Sequence, residues 1–409
     1  MVAEHGERRP SVLRTGIGCL IGGLSAAALL LGAIATFGYF ELRDLGSSEE
    51  GSGPSFPTPN GLSPPSADTL RALDTGTGDE RWRNQIGHAA EFVGIASDVA
   101  VVHESDKHEL IALDLMTGVQ RWREGPALVH DCSPIVDGSV VIGVTFHGEL
   151  VAQDVQTGAK VWQTKAAARW ECASLVGADG TVVVSGSVAH PHEAFAAGYD
   201  TATGLERWRQ DGSMAPGLFL HGSNSGLVFA AAGHGAIDAL EAATGAGRWR
   251  WEPPQPVRND LLLVAIDVRA VTAGSSVGFS AADPEARRGE TRTITVFVDV
   301  QDGVERWRTK SGAASSFAYD STTDTLVELG EPPVPIARNP ATGAALSTGS
   351  TPGESLVAAD GMAYVGDGDV TALNEQTAAS GWSIRLGSHG VGTVIGAAGG
   401  VLLVGSEQS

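Results

Sequence analysis

The feature that most constrains the fold is a short motif that returns eight times after residue 67. Its first copy, residues 72–82, reads ALDTGTGDERW, and the later copies follow at steps of mostly 40 or 41 residues. A repeat of this length is one supersecondary unit that buries its apolar face only by stacking on its neighbours. The third residue of each copy marks the register: Asp74, Asp114, Asp154, Asp200, Glu241, Asp299, Asn339 and Asn374.

Each copy predicts a β-hairpin. Alternating apolar residues favour a strand, the Asp-x-x-Thr-Gly segment favours a turn, and an alternating Arg-Trp-Arg segment favours the returning strand. The acid can accept hydrogen bonds from turn amides, and glycine adopts the positive φ that a β-carbon disfavours. Two more short strands are visible before the motif, as in residues 133–142. Four strands in about 40 residues are typical of one propeller blade, so the sequence predicts an all-β, eight-bladed β-propeller over residues 68–409.

The two ends of this domain predict how the ring closes. The first motif begins directly after a Gly/Ser/Pro-rich stretch, so its blade lacks two leading strands. After the last motif, residues 392–395 and 401–405 form a strand pair with no motif of their own. We expect the C-terminal strands to complete the first blade, which removes an open sheet edge.

Composition limits the function. The chain has 54 Gly and nine Trp, and 27 Lys+Arg against 48 Asp+Glu give a net charge of −21. A surface that binds nucleic acid or anionic lipid head groups needs clustered cations. The composition therefore excludes nucleic acid as a partner and fits a β-rich core with many turns.

The N-terminus predicts the compartment. Residues 16–40 carry no charge and are long enough to cross a bilayer, and Arg8, Arg9 and Arg14 precede them. We therefore expect a single-pass bacterial membrane protein with a cytoplasmic tail (1–14), a transmembrane signal anchor (15–40), a flexible linker (41–67) and an extracytoplasmic propeller (68–409). The alternative is a signal peptide cleaved after the Ala-x-Ala site at 33–35.

The repeat resembles the tryptophan-docking repeat of the pyrroloquinoline-quinone (PQQ) type eight-bladed propellers. That superfamily includes both quinoprotein alcohol dehydrogenases and non-catalytic relatives. The resemblance is therefore specific for the fold but not for an activity. It implies that the motif Trp wedges between neighbouring blades. We assign Leu346 to this position in the seventh copy and expect a looser seam there. The implied docking residues are Trp82, Trp122, Trp162, Trp208, Trp249, Trp307 and Trp382.

The same resemblance sets out what an enzyme would need. The dehydrogenases stack the quinone between a Trp and a disulfide of two adjacent cysteines, and they bind Ca²⁺ through Glu, Asn and Asp oxygens. This chain has no adjacent cysteine pair. We therefore assign no catalytic residue and no cofactor, and keep PQQ with calcium for the alternative function only.

Two cysteines occupy matching positions in neighbouring repeats. Cys132 and Cys172 each lie ten residues after a docking Trp. Blades converge near the propeller axis, where two Cα atoms come within bridging distance, and an extracytoplasmic location permits oxidation. We expect a disulfide, with two buried free thiols as the alternative.

Histidines mark the turns between the second and third strands of several blades, on the face that also carries the between-blade loops. The pair His190 and His192 beside Glu193 could hold a metal, although an exposed polar loop is the alternative. The candidate residues of this binding face are His147, His190, His192, His234, Arg287 and Arg288.

These features predict a monomeric, membrane-anchored propeller that acts as a non-enzymatic binding or scaffolding module. Its partner would be an extracytoplasmic protein, an envelope polymer or a small ligand. The alternative is a divergent PQQ- and calcium-dependent quinoprotein dehydrogenase.

Overall fold

The fold is described from a computed structural model of the chain. The structure describes residues 66–125, 128, 132–166, 170–188, 193–211, 220–222, 225–231, 236–253, 271–282, 293–311, 316–330, 332–386 and 392–406. The predicted cytoplasmic tail and transmembrane helix, and all but the last two residues of the linker, lie outside these ranges. Within them, no helix has the length and apolar character needed to span a membrane.

Strands account for the described elements, and they group into blades numbered by their motif. The first four blades contain β1 (Ser66–Asp74), β2 (Glu80–Ala96), β3 (Val99–Glu104), β4 (Glu109–Asp114), β5 (Gln120–Glu124), β6 (Ile135–Asp137), β7 (Val140–Val144), β8 (Glu149–Asp154), β9 (Lys160–Lys165), β10 (Trp170–Ala178), β11 (Thr181–Val188), β12 (Glu193–Asp200) and β13 (Glu206–Asp211).

The remaining blades follow the same order. They contain β14 (Leu220–Gly222), β15 (Leu227–Ala231), β16 (Ile237–Glu241), β17 (Gly247–Trp251), β18 (Val271–Ala273), β19 (Ser276–Ala282), β20 (Thr293–Asp299), β21 (Glu305–Ser311), β22 (Ser316–Asp320), β23 (Thr325–Leu329), β24 (Pro335–Arg338), β25 (Ala345–Thr348), β26 (Ser355–Ala359), β27 (Met362–Asp367), β28 (Asp369–Asn374) and β29 (Ser380–Arg385). The last two strands, β30 (Gly392–Ala398) and β31 (Val401–Ser406), belong to blade 1.

The sheet order confirms eight four-stranded antiparallel blades. Six blades are separate sheets, from β6-β7-β8-β9 to β26-β27-β28-β29. Blades 1 and 2 share the long strand β2, whose first half pairs with β1 and whose second half pairs with β3. They therefore appear as one seven-stranded sheet, β30-β31-β1-β2-β3-β4-β5.

The predicted ring closure is also confirmed. β31 pairs antiparallel with β1, from Thr69 opposite Ser406 to Asp74 opposite Val401. The last strands of the chain thus complete the blade that its first strands begin, so the two ends of the domain are held by main-chain hydrogen bonds.

The core lies in the seams between blades. The second strands of several blades are buried on both faces, as in β3, β7 and β23, where every residue is buried. Such doubly buried strands fit a sheet covered on both sides by neighbouring sheets. Separate apolar clusters fill the seams, for example one of Val93, Val99, Val101, Trp122 and Val141 between blades 2 and 3.

Candidate functional site

The motif turn, which joins the third and fourth strands, is held by its own side chains. In blade 2, Asp114 Oδ1 accepts from the amides of Met116 (3.1 Å) and Thr117 (2.9 Å) and from the Thr117 hydroxyl (2.8 Å). Its Oδ2 pairs with Arg121 at 2.6 Å. The hydrogen bonds from Arg121 and Thr117 lower the pKa of Asp114 to about 2. The acid therefore stays ionised, and the turn is a rigid structural unit.

The docking Trp joins each blade to the next. In the first seam, Trp82 Nε1 donates to the carbonyl oxygen of Leu115 at 2.9 Å, and its ring covers Gly118, whose φ is +72°. A Cβ on Gly118 would stand 2.6 Å from a ring carbon of Trp82. The motif glycine is therefore needed twice, for the turn's backbone conformation and for the neighbouring indole.

This arrangement recurs in seven of the eight seams. The indole nitrogens donate at 2.7–2.9 Å to the residue that follows the motif acid or amide of the next blade. A Cβ on the covered glycine would lie 2.5–2.8 Å from the ring in each case. The Trp–Gly pairs are Trp82–Gly118, Trp122–Gly158, Trp162–Gly204, Trp208–Gly245, Trp249–Gly303, Trp307–Gly343 and Trp382–Gly78.

The seventh seam, between blades 7 and 8, corrects one prediction. Leu346 does not occupy the Trp position: Ala337 lies opposite Ser347, as Ala112 lies opposite Trp122 in blade 2. The Trp lies four residues after the motif Gly in the first six copies, and four residues after Gly343 stands Ser347. Leu346 instead holds the position of Arg121 and is 44% exposed.

Ser347 keeps the seam's hydrogen bond without the indole. Its hydroxyl donates to the carbonyl oxygen of Glu375 at 2.5 Å, the acceptor position that indoles use elsewhere. The turn residue across the seam is Ala378, with φ +55°. A Cβ is tolerated there because no indole covers it. The two departures from the motif therefore compensate each other.

A buried polar cluster lies beside this hydrogen bond. Glu375 is 1% exposed and Asp320 is 2% exposed. The Thr323 hydroxyl donates to Glu375 Oε2 at 2.7 Å, and the Gly361 amide donates to Asp320 Oδ2 at 2.5 Å. Burial, opposed in part by the Thr323 hydrogen bond, raises the pKa of Glu375 to about 7. Sequence reasoning missed this group, although an acid directly after the motif position occurs in no other copy.

The two cysteines lie together in the structure. Cys132 and Cys172 are joined by a disulfide, with their Cα atoms 5.7 Å apart. Cys132 precedes β6 of blade 3 and Cys172 lies in β10 of blade 4, so the bond links two neighbouring blades directly. It adds a covalent tie to the seam that Trp162 already fills.

The face that carries the turns between the second and third strands is called the loop face below. His147 lies there, in the β7–β8 turn, where the Thr145 hydroxyl accepts from its amide at 3.3 Å. Next to it, Phe146 is 56% exposed, and its ring meets the edge of His108 from blade 2 at 4.8 Å. This contact between an exposed Phe and a half-buried His of two neighbouring blades was not predicted from the sequence.

Other predicted loop-face residues lie outside the described residues: His190, His192, His234, Arg287 and Arg288. Glu193 begins β12, but its two histidine companions are not described, so the predicted metal site stays a prediction. Within the described ranges, no group of three or more His, Cys, Asp or Glu side chains is arranged to hold a metal.

The disulfide and Trp251 differ from the quinone site that the resemblance would imply. The disulfide joins cysteines 40 residues apart rather than adjacent ones. Trp251, one of two Trp residues outside the docking positions, is 7% exposed and packs against Phe279 with ring centroids 4.8 Å apart. It is therefore part of a seam core and offers no open face for stacking.

An eight-bladed propeller closed by its C-terminal strands and locked by tryptophans defines a class, the PQQ-like repeat propellers. Residues 48–191 and 192–331 match the family described as outer membrane protein assembly factor BamB, and these segments make up more than half of the chain. The chain belongs to that family. No curated protein matches the sequence.

Solved structures share the fold. The crystal structure of BamB from Moraxella catarrhalis is 17% identical with a TM-score of 0.52, covering 84% of this chain and 98% of that one. The computationally designed Ika8 protein is 14% identical with a TM-score of 0.56, covering 78% and 94%. A quinohemoprotein alcohol dehydrogenase from Pseudomonas putida HK5 is 14% identical with a TM-score of 0.48, covering 81% and 69%, a likeness too low to inform function.

Proposed function

We propose that this protein is a membrane-anchored, extracytoplasmic scaffold whose propeller binds another envelope protein through its loop face. The observation that carries the proposal is the exposed Phe146 ring, which packs against the half-buried His108 of the neighbouring blade. The repeated side chains of the ring, in contrast, hold the blades together. Aromatic residues are enriched at protein interfaces, where they supply a large contact area. A rigid platform keeps such a contact preorganised.

The family supports the same function at a coarser level. Its description names an assembly factor for outer-membrane proteins, and such a protein acts by contacting other proteins. The anchor at residues 15–40 would hold the propeller at the membrane surface, with the linker as a spacer. In this proposal the propeller works without a cofactor.

Site-directed photo-crosslinking in the full-length, membrane-bound chain tests this function. A photo-reactive residue at Phe146 is compared with one at Val304, which is 60% exposed in a motif turn on the opposite face. We expect a discrete envelope-protein adduct from position 146 and none from position 304. Equal adducts from both positions, or none from either, would contradict a loop-face binding site.

A cofactor titration separates the scaffold from the alternative quinoprotein dehydrogenase. PQQ with Ca²⁺ is added while the melting temperature and alcohol-dependent dye reduction are followed. A ligand at a hundred times its dissociation constant stabilises a fold by roughly 2.7 kcal/mol. The scaffold proposal expects no shift and no turnover, whereas saturable binding with dye reduction would replace it with the dehydrogenase.

A further inference from the structure

Each blade ends in an outer strand with one unpaired edge. β25, for example, pairs only with β24 and is the last strand of its sheet. An open edge presents a row of unpaired N–H and C=O groups that can pair with a strand from another chain. All eight outer strands lie within the described residues, so they can be compared directly.

Seven of the outer strands carry charged side chains, a common means of preventing edge pairing. Several of these charges are fixed by ion pairs along or across the strand, such as Arg83–Glu80 at 2.8 Å, Arg209–Glu206 at 2.6 Å and Arg308–Glu305 at 2.6 Å. β9 begins and ends with a lysine, Lys160 and Lys165. In β29 the charge is Arg385.

The outer strand of blade 7 is the exception. β25 reads Ala345-Leu346-Ser347-Thr348, and no charged residue occurs between Arg338 and Glu354. Leu346 stands where five blades have an arginine paired with the motif acid, and it is 44% exposed. The motif position itself is Asn339, so this blade has lost both members of that ion pair. The Ser347 hydroxyl is turned to Glu375 across the seam.

We propose that β25 is a docking edge at which an extended, uncharged segment of a partner protein adds to blade 7 as a fifth strand. The occupant is a polypeptide because only an extended main chain supplies donors and acceptors in the alternation that a strand edge presents. Leu346 would select an apolar side chain opposite it, since cross-strand apolar pairs stabilise a sheet.

The short length of β25 limits the contact. Four residues span roughly 14 Å, so the interaction is weak by itself and acts together with a second contact. This inference rests on the proposed scaffold function, in which the loop face provides that second contact. A second copy of this chain is a poorer occupant because two such short edges bury far less than the roughly 1,200 Å² of a stable interface.

The test uses the full-length protein and a synthetic probe, an uncharged ten-residue peptide of alternating Thr and Val. Binding is followed by fluorescence anisotropy and by amide hydrogen exchange at residues 345–348. We expect saturable binding with exchange protection at β25. A peptide N-methylated at every second amide keeps its side chains but loses main-chain donors, and it should bind at least tenfold more weakly.

Two matched variants assign the contact to this edge. Leu346→Arg restores the side chain that five blades carry, so the fold should tolerate it, and it should weaken peptide binding at least tenfold. Val161→Arg changes the same motif position in blade 3, where Val161 is 47% exposed, and should leave binding unchanged. Equal effects of both variants, or protection spread over all outer strands, would overturn the proposal.

Three further outcomes distinguish the occupant of the edge and separate the docking edge from the scaffold function. A dimer in sedimentation that Leu346→Arg dissolves would mean that a second copy occupies the edge, which overturns the proposed occupant. If no peptide binds but position 146 still gives its adduct, the docking edge is wrong and the scaffold function stands. If both experiments fail, the scaffold function fails as well.

Discussion

The seventh seam and the other seven join blades by two different means. Where a Trp is present, an indole fills the seam, donates one hydrogen bond and requires a glycine across from it. In the seventh seam, Ser347 retains the hydrogen bond, Ala378 replaces the glycine across from it, and Glu375 and Asp320 place two acids in the interior. Seven seams thus have an indole at this position, whereas the seventh has a serine hydroxyl with buried acids nearby.

The comparison teaches that the hydrogen bond, rather than the indole, is the element common to all eight seams. The indole also buries apolar surface and makes the seam more rigid. The seventh seam lacks both contributions because Ser347 replaces the Trp. Burying polar groups yields less stability than burying apolar surface unless every group is paired, and Glu375 Oε1 has no hydrogen-bond partner among the residues that the structure describes. We therefore infer that the ring is weakest between blades 7 and 8, next to the uncharged edge of β25.

The largest effect is expected from making an ordinary seam resemble the seventh. Trp122→Ser should lower the free energy of unfolding by roughly 3–5 kcal/mol, the usual cost of emptying an aromatic core site, because Trp122 is 7% exposed. Ser347→Ala should cost about 1 kcal/mol, the value of one hydrogen bond. Chemical denaturation of the two variants measures both. Similar losses would mean that the seventh seam is as tightly built as the rest.

The disulfide gives the opposite extreme, a seam with a covalent tie. The Cys132→Ser/Cys172→Ser double variant should lose about 3–4 kcal/mol, because the bond closes a loop of some 40 residues in the unfolded chain. Thermal melting with and without a reductant measures this. Reduced wild-type protein should have the same melting temperature as the double variant. If the variant instead has the melting temperature of oxidised wild-type protein, the bond adds no stability.

The repeat made the fold predictable and left the seams unpredictable. The hairpin motif acts locally, so eight copies indicated eight blades, and the missing strands before Asp74 indicated the closure seen between β1 and β31. Ala378 and Glu375 belong to one blade and Ser347 to another, so their compensation depends on contacts between blades that no single repeat displays.

The sequence predicted one turn that lies on the loop face but not the exposed aromatic residue beside it. The sequence placed His147 on the loop face, where the structure has it, but the exposed Phe146 beside it carries no motif. The sequence signals that could have found the seventh seam were present: copy 7 has Ser four residues after its glycine, and copy 8 has Ala where the others have Gly. Each is an ordinary small residue, so neither is conspicuous without the neighbouring blade.

A smaller, pH-dependent effect distinguishes the buried acid. Since the pKa of Glu375 is about 7 in the fold and 4.5 ordinarily, the folded protein holds a proton that the unfolded chain releases. The contribution of the protonated carboxyl to the free energy of unfolding is fully present below about pH 4.5. It is lost as pH rises to about 7, and the loss is at most about 3 kcal/mol. Glu375→Gln cannot ionise and should remove this loss.

Melting temperatures of wild type and Glu375→Gln between pH 4 and 8 measure the effect. The melting temperature of Glu375→Gln should rise relative to that of wild type as pH increases through this window. The matched control is Glu354→Gln, which removes one carboxylate at an exposed position of the adjoining loop. The Glu375→Gln difference should exceed that of this control. A flat difference for Glu375→Gln would show that the carboxyl is already ionised in the fold.

Exchanging Gly and Ala at the turn across the seam should have opposite signs in the two kinds of seam. Gly158→Ala should cost about 2–3 kcal/mol, because its φ of +72° disfavours a side chain and the new Cβ would stand 2.8 Å from the Trp122 ring. Ala378→Gly should instead stabilise by about 0.5–1 kcal/mol, because it relieves an alanine held at φ +55° with no indole above it. Urea denaturation at fixed pH measures both changes. If Ala378→Gly destabilises, the alanine methyl is itself filling the seam, and the absence of an indole is compensated by packing rather than by open space.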